Sequence, residues 1–191
     1  MTKKGDAEEE VNEGSVTVGE GKEIVVPLRT LKLTVNGGPV ELVVGHDCMP
    51  WHTLAYTLRE RLGLTGTKIG CDRGECGVCT VLIDDKPAMS CTTLTVECEG
   101  KRIETIEGLM DLATRKLHPI QEAFIEEQGF QCGFCTPGAI MTAKALLTQK
   151  PNPTIDEVRE AMSGIMCRCT GFIPIFKSVL KAAEKMSGGA E

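Results

Sequence analysis

Aromatic side chains are scarce in this sequence. Phe, Trp and Tyr make up 4% of its residues, whereas hydrophobic residues of all types make up 41%. The core must therefore be mainly aliphatic. No segment approaches the ~18 consecutive apolar residues that a membrane-spanning helix needs. Residues 1–23 also lack the apolar run and the Arg-Arg pair of export signals. These absences predict a cytoplasmic protein without a membrane span.

An excess of positive charge is also missing, since the formal net charge is −6 at pH 7. Nucleic acids and anionic membrane surfaces both select a basic face, so neither is an expected partner. Cysteine, in contrast, is abundant, with 10 residues. In a reducing compartment, grouped cysteines bind metals more often than they form disulfides.

The densest group of cysteines lies in the segment from Gly70 to Cys79, which also contains three glycines. The spacing is Cys-x4-Cys-x2-Cys, and a fourth cysteine follows after eleven residues. This is the plant-type pattern for a 2Fe-2S cluster. Glycine allows the backbone to curl around a cluster with its amides pointing inward. The predicted ligands are Cys71, Cys76, Cys79 and Cys91. A zinc site or two disulfides fit this spacing poorly.

A second group has the pattern Cys-x2-Cys, then thirty-one residues, then Cys-x-Cys. Its members are Cys132, Cys135, Cys167 and Cys169. Four thiolates would suit a second metal centre. A zinc site and a Cys-x2-Cys redox pair remain alternatives on chemistry alone, although the redox pair leaves two of the four thiols without a role.

The pattern of residues predicts an α+β fold. Residues 1–30 are expected to be a flexible N-terminal extension, because they are too polar to bury much apolar surface. Residues 31–107 show a β-hairpin with Asn36-Gly37 at its turn, an amphipathic helix from Pro50 that includes Trp51, and two later strands. A small sheet with one helix across it and a cluster loop at its edge is a β-grasp layout.

Residues 108–191 predict four short helices with cysteines in two of their connections. Thr136 is the expected N-cap of the second helix, with Pro137 in its first turn. Thr154 and Glu157 form a capping box for the third helix. This region is therefore expected to be a small all-α bundle that holds a metal centre between helix starts.

The two quartets in this order resemble the iron-sulfur part of the molybdenum hydroxylases, a family that includes xanthine dehydrogenases, aldehyde oxidoreductases, carbon monoxide dehydrogenases and hydroxybenzoyl-CoA reductase. The resemblance rests on the segments Gln131–Gly138 and Cys167–Gly171 and extends over about Leu31 to Met186. It implies a plant-type ferredoxin domain followed by a four-helix domain, each with one 2Fe-2S cluster. One departure is Phe172, where the family commonly has tyrosine.

The resemblance also implies roles for individual residues. Cys132, Cys135, Cys167 and Cys169 would hold the inner cluster, nearest the molybdopterin, and the first quartet would hold the outer cluster, facing the flavin. Gln131 and Cys169 would contact the pterin.

The chain is too short to contain a flavin or molybdenum domain. It is therefore expected to be the electron-transfer subunit of a heteromeric enzyme, in which a large subunit binds molybdopterin while another binds FAD. The alternative function is a freestanding two-cluster ferredoxin-like carrier.

Overall fold

In the computed structural model, the described residues are the backbone of 12–18 and 22–188 and the side chains of 29–188. They form a mixed α/β structure with seven strands and five α-helices. A two-stranded hairpin, β1 (Asn12–Val18) and β2 (Lys22–Leu28), comes first. The sequence predicted a flexible extension over residues 1–30, whereas the backbone of these two segments forms strands. Antiparallel pairing satisfies their backbone groups, and the β-branched residues in both segments favour strands.

A five-stranded sheet follows, in the order β4-β3-β7-β5-β6. Its strands are β3 (Thr30–Val35), β4 (Gly38–Val43), β5 (Thr80–Ile83), β6 (Lys86–Met89) and β7 (Arg102–Glu104). Only the β3–β7 pair within this sheet is parallel. The predicted hairpin is confirmed, because Asn36 and Gly37 both have positive φ between β3 and β4. The turn before β6 lies at Asp84 and Asp85, which both have positive φ.

The helix across this sheet is shorter than its apolar periodicity predicted. It begins at Leu54, where Thr53 is the N-cap, as α1 (Leu54–Tyr56), and continues as a π-helical segment (Thr57–Arg61). Trp51 lies in the turn before it and is 70% exposed, so its predicted place on the helix is wrong. Leu54 and Leu58 are fully buried and pack with β3 residues such as Leu31 in one apolar cluster.

Four further helices make up the C-terminal part, as predicted. They are α2 (Pro119–Glu126), α3 (Thr136–Gln149), α4 (Ile155–Met162) and α5 (Ile173–Gly188). The capping box of α4 is confirmed, since the Thr154 side chain accepts from the Glu157 amide and the Glu157 side chain accepts from the Thr154 amide. No helix among the described residues is long and apolar enough to cross a membrane.

The helices and the first cysteine loop share one hydrophobic core. That core contains Phe124, Met141 and Ile175 from the helices together with Cys76 and Val78 from the loop. Helix α3 packs against β5. The two parts of the chain therefore contact each other through buried apolar surface.

Candidate metal centres

The first cysteine loop curls in the way its glycines predict. Its backbone is left-handed at Asp72, Gly74 and Gly77. A Cβ at Gly70 would lie 3.1 Å from Sγ of Cys76, so the close curl leaves little room for a side chain there. The amides inside the curl face sulfur, which is the environment that an iron-sulfur cluster requires.

Cys71 receives most of these inward amides. The N–H groups of Glu75 and Cys76 donate to its Sγ over 3.3 and 3.4 Å. Backbone hydrogen bonds, first that of Arg73 and then those of Cys76 and Glu75, lower the pKa of the Cys71 thiol to about 6. The loop thus stabilises a thiolate, the form of cysteine that binds metal.

Cys79 and Cys91 form the buried half of this site. The Ser90 hydroxyl donates to the Cys79 carbonyl over 2.6 Å, and the Ala55 amide donates to the Ser90 carbonyl over 3.0 Å. Helix α1 and the loop after β6 therefore hold these two thiols together. Burial, followed by the hydrogen bond with Cys79, raises the pKa of Cys91 to about 11.

The second quartet lies at the start of α3 and in the loop between α4 and α5. Sγ of Cys169 is 3.4 Å from Sγ of Cys132, and both residues are exposed. Cys135 and Cys167 are buried. Burial, followed by the interaction with the Cys167 thiol, raises the pKa of Cys135 to about 12. Burial also acts to raise the pKa of Cys167, but hydrogen bonds, mainly from Thr170, outweigh it and leave that pKa lowered.

Each quartet therefore gathers its four thiols near one another. The neighbouring thiols that shift a pKa are Cys76 for Cys71, Cys79 for Cys91 and Cys167 for Cys135, and Sγ of Cys132 lies 3.4 Å from Sγ of Cys169. A mononuclear zinc ion needs four ligands around one point. Within the described part of the chain, no three His, Cys, Asp or Glu side chains are placed to hold a single metal ion. Four thiols gathered in this way instead suit a dinuclear cluster, in which each iron binds two cysteines.

A buried hydroxyl next to the second quartet was not identified from the sequence. Thr136 is the first residue of α3 and Cys135 is its N-cap, so the predicted capping role of Thr136 is wrong. Among the side chains of residues 29–188, Oγ1 of Thr136 is the buried polar atom that has no hydrogen-bond partner. Such an atom is costly unless a bound group satisfies it. Its place beside Cys135 therefore fits a sulfur-rich cofactor in this site.

The surface around the second site is open and partly apolar. Cys132 and Cys169 are exposed, and so are the nearby side chains of Phe130, Phe134 and Ile173. Gln131 is also exposed, and no hydrogen bond of its side chain occurs among the described residues. The first site is more enclosed, since three of its four thiols are buried.

The two cysteines outside the quartets are packed as small hydrophobic residues. Cys48 and Cys98 are both buried in the apolar cluster beneath the sheet. Burial raises the pKa of Cys98 to about 11. Both are thus inert thiols that contribute to the core.

Comparison with known proteins agrees with this geometry. A family model described as a 2Fe-2S binding domain matches residues 105–180, which include the second quartet. The small FeS subunit of nicotinate dehydrogenase from Eubacterium barkeri is 42% identical over 156 residues, covering 82% of this chain and 96% of that protein. The chain belongs to the iron-sulfur subunits of the molybdenum hydroxylases.

Two further matches show how this subunit type occurs elsewhere. The iron-sulfur-binding subunit of Escherichia coli aldehyde oxidoreductase is 43% identical over 171 residues, covering 82% of this chain and 72% of that one. A solved chain of quinoline 2-oxidoreductase from Pseudomonas putida 86 is 46% identical with a TM-score of 0.78, covering 86% of this chain and 99% of that one. As a molybdenum hydroxylase iron-sulfur subunit, the present chain is the electron-transfer component of an oxidoreductase.

Proposed function

We propose that this subunit carries two 2Fe-2S clusters and passes electrons singly between two partner subunits, one binding molybdopterin and the other FAD. The observation that carries the proposal is the inward curl of the first cysteine loop, whose amides donate to Sγ of Cys71, together with the 3.4 Å approach of Sγ of Cys132 and Sγ of Cys169 at the second site. A 2Fe-2S cluster supplies a centre that accepts and releases one electron at a time. Two such centres divide the two-electron oxidation of a substrate into single steps.

In this proposal the chain forms two functional domains. Residues 31–107 are a plant-type ferredoxin domain that holds the outer cluster through Cys71, Cys76, Cys79 and Cys91. Residues 108–191 are the helical domain that holds the inner cluster through Cys132, Cys135, Cys167 and Cys169. The buried thiols exclude water from each site, while inward amides and the Thr136 hydroxyl offer hydrogen bonds to sulfur.

The molybdopterin subunit is proposed to cover the second site. An exposed thiol pair with exposed Phe130 and Phe134 beside it is an unusual surface for a protein to leave in water. Gln131 and Cys169 would then face the pterin, since both are exposed at this position. The FAD subunit would approach the first site. Ten free thiols suit a reducing cytoplasm.

Iron and sulfide analysis tests the proposal directly. Two clusters require about four iron and four sulfide per chain, and electron paramagnetic resonance (EPR) of the reduced protein should show two distinct signals. Cys76→Ser should remove one signal and leave the other. A content of about two iron with a single signal would show that one quartet does not assemble a cluster.

Co-purification separates the proposed role from that of a freestanding carrier. Purified from its native source, the chain should appear with larger chains in fixed stoichiometry and with bound molybdenum and flavin. A chain that elutes alone, with both clusters and with full reactivity toward soluble donors, would favour the ferredoxin-like alternative.

A further inference from the structure

The two thiol sites are joined by a backbone hydrogen bond. The N–H of Met166 donates to the carbonyl of Cys76 over 2.9 Å. Cys76 is a thiol of the first site, and Met166 directly precedes Cys167 of the second. A path from Sγ of Cys76 to Sγ of Cys167 therefore consists of covalent bonds except at one step, where this hydrogen bond joins the two backbone segments.

Glycines keep the two loops in contact at this place. A Cβ on Gly77 would lie 2.3 Å from the carbonyl oxygen of Gly164, and one on Gly138 would lie 2.6 Å from that of Gly77. Both distances are too short for any side chain, so a substitution at Gly77 or Gly138 would push the facing backbone away. Gly164 itself has open space where its Cβ would stand.

The surroundings of this hydrogen bond are apolar. Cys76 and Cys167 belong to the same buried cluster as Val78, Cys135 and Ile165. This shared packing holds Cys76 and Cys167 in fixed positions relative to each other. Fixed positions suit the passage of an electron between two centres.

We propose that the Met166 N–H to Cys76 carbonyl hydrogen bond is the electronic connection between the two sites, and that Gly77 and Gly138 position it. This inference rests on the proposed function, because it requires a cluster in each site. With a cluster held in each site, one electron would leave the second site and enter the first. No proton, atom or ligand moves in this step, and substrate oxidation on the molybdopterin subunit supplies the electrons.

A side-chain route through Phe134 is the competing path. Phe134 precedes Cys135, and a Cβ on Gly70 would lie 3.5 Å from its ring and 3.1 Å from Sγ of Cys76. The ring therefore also lies near both quartets. The ring is 47% exposed, whereas the backbone route crosses between the sites on a direct hydrogen bond.

Met166→Pro removes the donor N–H, and Met166→Ala is the matched variant that retains it while losing the same side chain. Met166 is 65% exposed, so loss of its side chain opens no cavity in the core. In the assembled complex, reduction by substrate followed by rapid freezing and EPR reports the two cluster signals separately. The first-site cluster should become reduced several-fold more slowly in Met166→Pro than in Met166→Ala, while the second-site cluster is reduced at equal rates in both. Equal rates at both clusters would overturn the inference.

Gly138→Ala provides a second test if Met166→Pro does not assemble. Alanine suits the helical position, but its Cβ must displace the backbone of Gly77 and Val78. In Gly138→Ala, the first-site cluster should be reduced several-fold more slowly than in Gly164→Ala. If the first-site cluster is reduced more slowly in Phe134→Leu but not in Gly138→Ala, the electron path runs through the Phe134 ring and the inference is overturned. Iron content and the number of EPR signals test the proposed function separately, so the two failures are distinguishable.

Discussion

Lys144 in the middle of α3 forms an ion pair with Glu104 at the end of β7. Both side chains are less than one third exposed. The pair therefore fixes the helical part of the chain against the sheet.

This ion pair should contribute measurably to stability. A double-mutant cycle with Lys144→Met and Glu104→Gln should give a coupling free energy of about 1 kcal/mol, the upper end for pairs that keep some contact with water. Urea unfolding of the four proteins measures it. The exposed pair of Lys32 and Glu41, with an N–O distance of 3.7 Å, is the control and should give about 0–0.5 kcal/mol. Equal coupling in both cycles would mean that burial does not strengthen the Lys144 pair.

Acid should weaken the start of α4 through Glu157. Lys150, followed by the backbone and side chain of Thr154, lowers the pKa of Glu157 from 4.5 to about 2. A lowered folded-state pKa means that the folded protein retains this charge more readily than the unfolded chain does. The stabilisation is therefore complete above about pH 4.5 and is lost as the pH falls toward 2.

Denaturation midpoints measured across this pH range test the effect. The wild-type protein should lose more stability on acidification than Glu157→Gln, which cannot titrate. Glu160→Gln removes the same charge from the same helix outside the capping box and should behave like the wild type. Parallel pH profiles for the wild type and Glu157→Gln would contradict the assignment.

Sequence patterns that depend only on neighbouring residues predicted a turn and a helix cap correctly. The turn at Asn36 and Gly37 depends on neighbouring residues alone, and so does the capping box at Thr154. Trp51 fitted a helical period but lies outside α1, because the N-cap at Thr53 starts the helix later. Periodicity does not show where a helix begins.

The contact between the two thiol sites could not be predicted in the same way. Cys76 and Met166 are far apart in sequence and meet through backbone atoms, which carry no residue-specific signal. The glycines at 77 and 138 were visible, but each suits a cluster loop or helix start for local reasons. Only the packed structure shows that their missing side chains allow the loops to touch.

The orphaned hydroxyl of Thr136 should tune the cluster of the second site. A hydroxyl that donates to sulfur stabilises the more negative reduced state. Thr136→Val keeps the shape but removes the donor, so the midpoint potential of that cluster should shift to more negative values. Thr136→Ser keeps the hydroxyl and should retain most of the wild-type potential. Redox titration followed by EPR measures both, and the first-site cluster serves as an internal control. An unchanged potential in Thr136→Val would show that the hydroxyl does not contact the cluster.

Gln131 offers the sharpest test of the contact with molybdopterin. Its backbone is joined to Cys132, a proposed cluster ligand, while its exposed side chain has no hydrogen-bond partner among the described residues. An amide both donates and accepts, which matches the alternating ring nitrogens and amino group at a pterin edge. Gln131→Leu should leave both clusters assembled and weaken cofactor retention by about 1–3 kcal/mol, the cost of leaving a buried polar partner unpaired.

Two measurements on the assembled complex decide the role of Gln131. Molybdenum content should fall more readily on dilution or dialysis, and the second-site cluster should be reduced more slowly after rapid mixing with substrate. Gln149→Leu makes the same substitution at the exposed end of α3, away from the thiols, and should change neither quantity. If Gln131→Leu keeps full cofactor and wild-type transfer rates, the side chain does not contact the pterin, and the partner must bind the second site through its exposed thiols and apolar rim alone.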